Sequence, residues 1–123
     1  MADTSFLDLA WSSPVDEDEA LRRIGGDKEV LVDVIGAFLE TYVESMNDIQ
    51  RAVRSGGEDL SFTVHRFKGA LAQLAAHPAL DAARKLEDAA VSRPGDIESR
   101  FAVLRFETDR LAPALRRLAS RLS

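Results

Sequence analysis

The sequence predicts an all-α fold, namely an antiparallel four-helix bundle with a short additional N-terminal helix. Apolar residues recur three or four positions apart along most of the chain, and no segment keeps the strict alternation that is typical of a strand. Glycine and proline mark short connections between four long amphipathic segments, as in antiparallel bundles. With 123 residues, 46% of them hydrophobic, the chain suits one domain whose core folds without disulfides.

The first two helices are predicted over residues 16–24 and from about residue 27 to 55. The first begins with the acidic run of residues 16–19, which complements the positive end of a helix dipole. Gly56 should end the second helix. Its core face is marked by apolar residues at helical spacing, which are Leu31, Val34, Ile35, Phe38, Tyr42, Met46 and Ile49.

The third helix is predicted over residues 58–77 and stops at Pro78, which begins a fourth helix that ends before Pro94. His77 would then close the third helix, where an imidazole favourably meets exposed carbonyls. The core stripe of the third helix is Leu60, Val64, Phe67, Leu71 and Leu74. The inner face of the fourth is small and consists of Ala79, Ala83, Leu86 and Ala90.

The last helix has the most regular pattern but contains two exceptions. Thr108 is a polar residue in a core position, and Pro113 should bend the helix without dividing the domain. We expect its stripe to be core, although a dimer through it stays open. The stripe comprises Ile97, Phe101, Leu104, Thr108, Leu111, Leu115, Leu118 and Leu122.

Residues 1–15 are predicted to be a leader or cap, and residues 16–123 to form the bundle domain. Phe6 and Trp11 are the candidate packing residues of the leader. The leader is acidic and lacks a basic n-region, so we do not expect a secretory signal.

Composition excludes several classes of function. Without cysteine there is no disulfide scaffold, thiol nucleophile or Cys-ligated zinc site, and two histidines are too few for a histidine-rich metal centre. With 16 basic and 21 acidic residues, nucleic-acid binding is not expected. No apolar run approaches the roughly 20 residues that span a bilayer. We expect a cytoplasmic protein without a metal, a cofactor or a membrane partner.

The outward face of the third helix indicates a docking surface. His65 lies well away from the centre of the core stripe on a helical wheel. Exposed faces of charged proteins are mostly polar, whereas the outward neighbours of His65 are apolar and mostly small. They are Phe62, Gly69, Ala72 and Ala76.

Two residues beside His65 favour phosphate chemistry. Gly69 lies one turn after His65, and a glycine inside a helix costs roughly 1 kcal/mol against alanine, so it needs a local reason. The missing side chain opens space around the imidazole. Lys68 can reach the same space with a positive charge, which would stabilise a phosphoryl group on the imidazole. His65 is therefore a candidate nucleophile that could hold and pass on a phosphoryl group.

The chain has no nucleotide site of its own. A glycine-rich phosphate loop is missing, and Gly25-Gly26-Asp27 is only a helix connection. No catalytic triad, metal cluster or pair of carboxylates with a raised pKa is visible either, so a hydrolase is poorly supported. We expect a phosphoryl carrier and not an enzyme.

The segment His65-Arg66-Phe67-Lys68-Gly69 resembles the H-x-x-K-G signature of the histidine-containing phosphotransfer (HPt) domain. Residues 23–27 and 34–40 are similar to the entry into that family's second helix, and residues 82–87 to its fourth helix. The resemblance covers about residues 16–123. It implies a role in two-component phosphorelays, in which such domains take a phosphoryl group from the aspartate of one receiver domain and hand it to another.

The resemblance also implies roles for individual residues. His65 corresponds to the phosphoacceptor, Lys68 to the lysine on the phosphate side and Gly69 to the glycine that gives access. Glu87 occupies a position where some members place a carboxylate or amide against the histidine, which would fix its tautomer. Pairing of Glu87 with Arg84 or Lys85 stays an equal alternative. Ala75 stands where many members carry glycine.

The expected partners are receiver domains of response regulators and hybrid sensor histidine kinases, bound by a monomer. They would dock on the third helix around the imidazole, at Phe62, Arg66, Gly69, Ala72, Gln73 and Ala76. The alternative is a helical docking module that binds a receiver or a sensor kinase without phosphate chemistry. It needs the apolar face but neither His65 nor Lys68.

Overall fold

The computed structural model describes residues 13–56 and 59–123, which are helical nearly throughout and contain no strand. The helices are α1 (Glu17–Arg23), α2 (Lys28–Ser55), α3 (Asp59–Gln73), α4 (His77–Ser92) and α5 (Ile97–Leu122), and a 3-10 turn, Pro94–Asp96, precedes α5. The all-α prediction is confirmed. Phe6 and Trp11 of the predicted leader lie outside the described residues.

The first two helices begin and end where local chemistry predicts. The Asp16 carboxylate accepts a hydrogen bond from the Glu19 amide at 3.0 Å and caps α1. Asp27 caps α2 in the same way, with its Oδ1 3.0 Å from the Glu29 nitrogen and 3.2 Å from the Val30 nitrogen. Gly56 ends α2 in the left-handed conformation with φ 64°, which glycine adopts without a steric penalty.

The four long helices enclose one core. α2 packs against α3 and α5, and α4 packs against the same two helices, so the contacts form a closed ring. Short connections between helices in contact are typical of antiparallel neighbours. Burying one leucine or isoleucine contributes about 1.5–3 kcal/mol. The largest fully buried side chains come from all four helices and one turn, and are Leu31, Ile35, Ile49, Leu60, Val64, Leu71, Leu74, Leu86, Leu104, Leu111, Leu115 and Leu118.

The apolar stripe of α5 is part of this core. Thr108 is buried, and its hydroxyl donates to the Arg105 carbonyl at 3.0 Å, so a polar group is tolerated there because it has a partner. The exposed Pro113 lies inside α5, and the helix continues through it without a break. Six of the eight stripe residues are buried within the chain, and Ile97 and Leu122 are partly buried.

The third helix ends at Gln73, four residues earlier than predicted. The chain reverses through Leu74 and Ala75, and Ala75 has a φ of 53° although it is not glycine. This left-handed conformation costs an alanine about 1–2 kcal/mol. The helical wheel no longer applies beyond this turn. Ala76 is therefore fully buried, and the prediction that it belongs to the exposed face was wrong.

His77 does not close the third helix, so that prediction was also wrong. It is the first residue of α4, and its Nε2 lies 3.0 Å from Oε1 of Glu19 on α1. The Asp16 amide donates to the Ala75 carbonyl at 3.0 Å. These two contacts hold α1 against the turn between α3 and α4.

No helix among residues 13–56 and 59–123 has the length and apolar character that a bilayer span requires.

Candidate functional site

His65 lies on the outward side of α3, between two residues that anchor the helix. Val64 and Phe67 are buried in the core, whereas the His65 side chain is 69% exposed. The helix therefore fixes the backbone of His65 while the imidazole stays accessible to another molecule.

A carboxylate from the neighbouring helix contacts both His65 and Lys68. Oε2 of Glu87 on α4 lies 3.2 Å from Nδ1 of His65, and its Oε1 accepts from Nζ of Lys68 at 2.6 Å. The side chains of Glu87 and Lys68 are only 19% and 24% exposed. Partial burial strengthens the contact between Lys68 and Glu87 because less solvent screens it.

The Lys68 ammonium lowers the pKa of Glu87 through its hydrogen bond, against the opposing effect of burial. The contact with His65 lowers the same pKa further. Glu87 is therefore ionised at neutral pH, and an ionised carboxylate can only accept hydrogen bonds.

This assigns the tautomer of a neutral His65. Because Glu87 can only accept, the proton of the imidazole lies on Nδ1 and the lone pair lies on Nε2. The free nitrogen is the one available for attack on an electrophile.

The glycine on the same helix face leaves open space. A Cβ built on Gly69 meets no heavy atom of its surroundings within 4 Å, so packing within the chain does not require a glycine there. The residue lies four positions after His65, directly over it on the helix surface. The helix thus presents a bare stretch of backbone beside the imidazole.

Comparison with known proteins identifies the family of the chain. The family model described as the Hpt domain matches residues 33–123. This chain belongs to the Hpt domain family. Hpt domains are phosphocarrier modules with a histidine phosphotransfer role in two-component phosphorelays and signal transduction. Neither the curated proteins nor the solved structures gave a match.

The face of the Hpt domain around His65 contains five of the six residues predicted for docking. Phe62 is 65% exposed, and the Arg66 guanidinium lies 6.0 Å from the centre of its ring. Gly69 and Gln73 are exposed and Ala72 is half-buried, whereas Ala76 faces the core. An exposed phenylalanine beside an arginine is typical of a protein-binding surface.

The contact between Lys68 and Glu87 was missed by sequence reasoning. The alternative partners of Glu87 are not the ones observed, since Lys85 pairs with Asp81 at 3.0 Å and Glu87 pairs with Lys68 and His65. The signal available in the sequence was that Lys68 follows His65 by three positions, so one group from a neighbouring helix can reach both.

One group of side chains among the described residues could hold a metal ion. Ligand atoms of Asp16, Glu19 and His77 lie within 4.8 Å of one another. All three already have partners within the protein, because Asp16 caps α1 and Glu19 binds both Arg23 and His77. These contacts explain the cluster without an ion.

Proposed function

We propose that this Hpt domain relays a phosphoryl group between the aspartates of receiver domains, with Nε2 of His65 as the acceptor atom. The observation that carries the proposal is the bond from Nδ1 to Glu87, which leaves an exposed, unprotonated nitrogen on a fixed helix. A module that only docked would have no use for this arrangement.

The transfer balances without a cofactor. The Nε2 lone pair attacks the phosphorus of an aspartyl phosphate, a nitrogen–phosphorus bond forms, and the phosphorus–oxygen bond breaks so that its electrons return to the aspartate carboxylate. The proton on Nδ1 stays on the ring, and Glu87 balances the positive charge that the imidazole gains. The reverse sequence on a second receiver releases the phosphoryl group.

Lys68 would supply positive charge to the phosphoryl oxygens. Its ammonium has three N–H donors, and Glu87 accepts one of them. The remaining donors can bind an anionic group on the neighbouring imidazole while the ion pair with Glu87 stays in place. Phosphoryl transfer depends largely on such positioning and electrostatic stabilisation.

The partners we propose are receiver domains of response regulators and of hybrid sensor histidine kinases. They would dock on the exposed face of α3, where Phe62 provides apolar contact area and Gly69 allows close approach. We propose that residues 16–123 form the functional unit, acting as a monomer in the cytoplasm.

The test is transfer from a labelled, phosphorylated receiver domain to the full chain. His65→Gln should remove all label from the protein while circular dichroism shows an unchanged helical fold, because the side chain is exposed. His77→Gln is the matched control, since it removes the other histidine and should keep the label. Label on His65→Gln would contradict the assignment. Receiver binding without label on the wild type would favour the docking module.

A further inference from the structure

One concave surface of the described structure does not include His65, Lys68 or Glu87 and is not used by the proposed transfer. It is a groove of about 1000 Å³ where the start of the described chain meets α1, α4 and α5. Pockets of 300–1000 Å³ hold drug-sized ligands, so this volume accommodates several large side chains. Its apolar lining is formed by Val15, Pro78, Ala82 and Val103.

Two features of the lining indicate that the groove is unfilled. Val103 is 47% exposed on α5, although Val15 and Ala82 of the same lining are buried. The groove also carries charges of both signs. Its acidic residues are mostly engaged within the chain, because Glu17, Asp81 and Glu107 pair with Arg121, Lys85 and Arg110, Asp16 caps α1 and Asp18 lies in the first turn of α1. Arg84 and Arg100 form no hydrogen bond or ion pair within residues 13–56 and 59–123. An occupant of this groove would therefore be mainly apolar, with a carboxylate only where it meets Arg84 or Arg100.

We propose that the occupant is residues 1–12 of the same chain. This segment contains Phe6, Leu7, Leu9 and Trp11 together with Asp3 and Asp8, and it has no lysine or arginine. Its apolar side chains match Val103 and the other apolar residues of the lining, and its two aspartates can pair with Arg84 and Arg100. The proposal does not depend on the proposed transfer.

The connection between segment and groove is short. Ser13 is itself part of the groove lining, so Trp11 lies at most about 7 Å of extended chain away, and Phe6 at most about 25 Å. A segment tethered this closely competes at an effective concentration in the millimolar range, well above that of most free partners. Phenylalanine and tryptophan each bury about 150–250 Å² when they pack, which is ample to cover Val103.

The test uses the fluorescence of Trp11, which is the only tryptophan of the chain. In the unsubstituted chain we expect blue-shifted emission and several-fold weaker acrylamide quenching than for free tryptophan. Val103→Glu should shift the emission to the red and restore quenching. Val43→Glu, which changes a similarly exposed valine on α2 outside the groove, should do neither. Circular dichroism verifies that both variants fold.

Three outcomes would overturn the proposal. The first is that wild-type Trp11 is quenched as readily as free tryptophan. In the second, Trp11 is protected but unaffected by Val103→Glu, which would place it elsewhere. The third is protection that disappears on dilution, which would show that the groove takes the segment of a second copy.

Discussion

Glu87 joins two side chains that have different tasks. One oxygen meets Nδ1 of His65 and fixes the tautomer, and the other meets the ammonium of Lys68 and holds its charge beside the imidazole. A single carboxylate on α4 thus orients both groups that α3 presents. Glu87 is a positioning residue in this account, because it acts through His65 and Lys68.

The lowered pKa of Glu87 predicts how its contribution to stability depends on pH. The fold favours the ionised form, so the contribution is complete above the usual value of 4.5 and is lost as the pH falls through the lowered pKa. At neutral pH, Glu87→Gln should reduce the free energy of unfolding by about 0.5–1 kcal/mol. Urea unfolding should show this difference shrinking at acidic pH.

Asp88→Asn is the control for net charge, because it removes the same charge at an exposed neighbouring position. A difference between wild type and Glu87→Gln that stayed constant well below pH 4.5 would contradict the ion pair with Lys68.

Lys68 is expected to stabilise the transferred group and not the receiver complex. A charge-assisted hydrogen bond contributes about 1.5–3 kcal/mol. Lys68→Ala should therefore slow transfer, or shorten the lifetime of the phosphohistidine, by roughly tenfold or more. Rates from quenched-flow labelling and receiver affinity from calorimetry separate the two effects.

Lys85→Ala is the matched variant, since Lys85 is a lysine of α4 that pairs with Asp81. It should leave rate and lifetime unchanged. Equal effects of the two substitutions would show that Lys68 acts only through net charge.

At the scale of the element, α3 contains a glycine, Gly69, that lowers the stability of the helix. In our proposal this glycine gives a receiver domain access to His65. A Cβ at Gly69 meets nothing within 4 Å, and the same holds for Gly36 inside α2. Gly69→Ala and Gly36→Ala should each raise the free energy of unfolding by about 1 kcal/mol. Only Gly69→Ala should slow transfer from a phosphorylated receiver, because only Gly69 lies beside His65.

Denaturant unfolding and the labelling assay measure these two effects on the same pair of variants. Full transfer rates in Gly69→Ala would show that the open space beside the imidazole is not used.

Local signals predicted the bounds of α1 and α2 well. Asp16 and Asp27 cap the starts of the two helices, and Gly56 ends α2, each through contacts within a few residues. Such caps are visible in the sequence because the capping side chain and the backbone group it binds are neighbours.

The turn between α3 and α4 could not be predicted in this way. Ala75 adopts a conformation that alanine disfavours, and Leu74 continues the apolar spacing of α3 beyond the helix end. The turn is held in part by the hydrogen bond from Asp16 to the Ala75 carbonyl, which joins residues far apart in the chain. Tertiary contacts thus override the periodicity, and this explains the errors at Ala76 and His77.

The candidate site could also be predicted from the sequence only where local spacing determines it. His65, Lys68 and Gly69 share one helix, so their relative placement follows from spacing alone. The role of Glu87 was predicted from the resemblance to the HPt family. Its hydrogen bond with Lys68 depends on how α3 and α4 pack. A contact between helices has no signal in the periodicity of either one.

At the scale of the whole molecule, the apolar stripe of α5 is directed into the bundle. Leu104, Leu111 and Leu115 are completely buried by the chain itself, so they are not available to a second copy. We expect a monomer, and light scattering should give a mass near 13.5 kDa at micromolar concentrations. Twice that mass would contradict the expectation.

The site and the groove are built on different helix pairs of the same bundle. His65 and Glu87 face each other from α3 and α4, whereas the groove lies where α4 and α5 meet α1. The two surfaces can therefore be tested independently. A substitution at Val103 should alter the environment of Trp11 without changing the chemistry at His65.

The position of the phosphoryl group on the imidazole tests the account most directly. The chain is labelled with ¹⁵N at its two histidines and treated with phosphoramidate, a small-molecule phosphoryl donor. Nitrogen and phosphorus NMR then identify the bonded atom. We predict a phosphorus–nitrogen bond at Nε2 of His65, because Glu87 holds Nδ1. A bond at Nδ1 of His65, or at either nitrogen of His77, would contradict it.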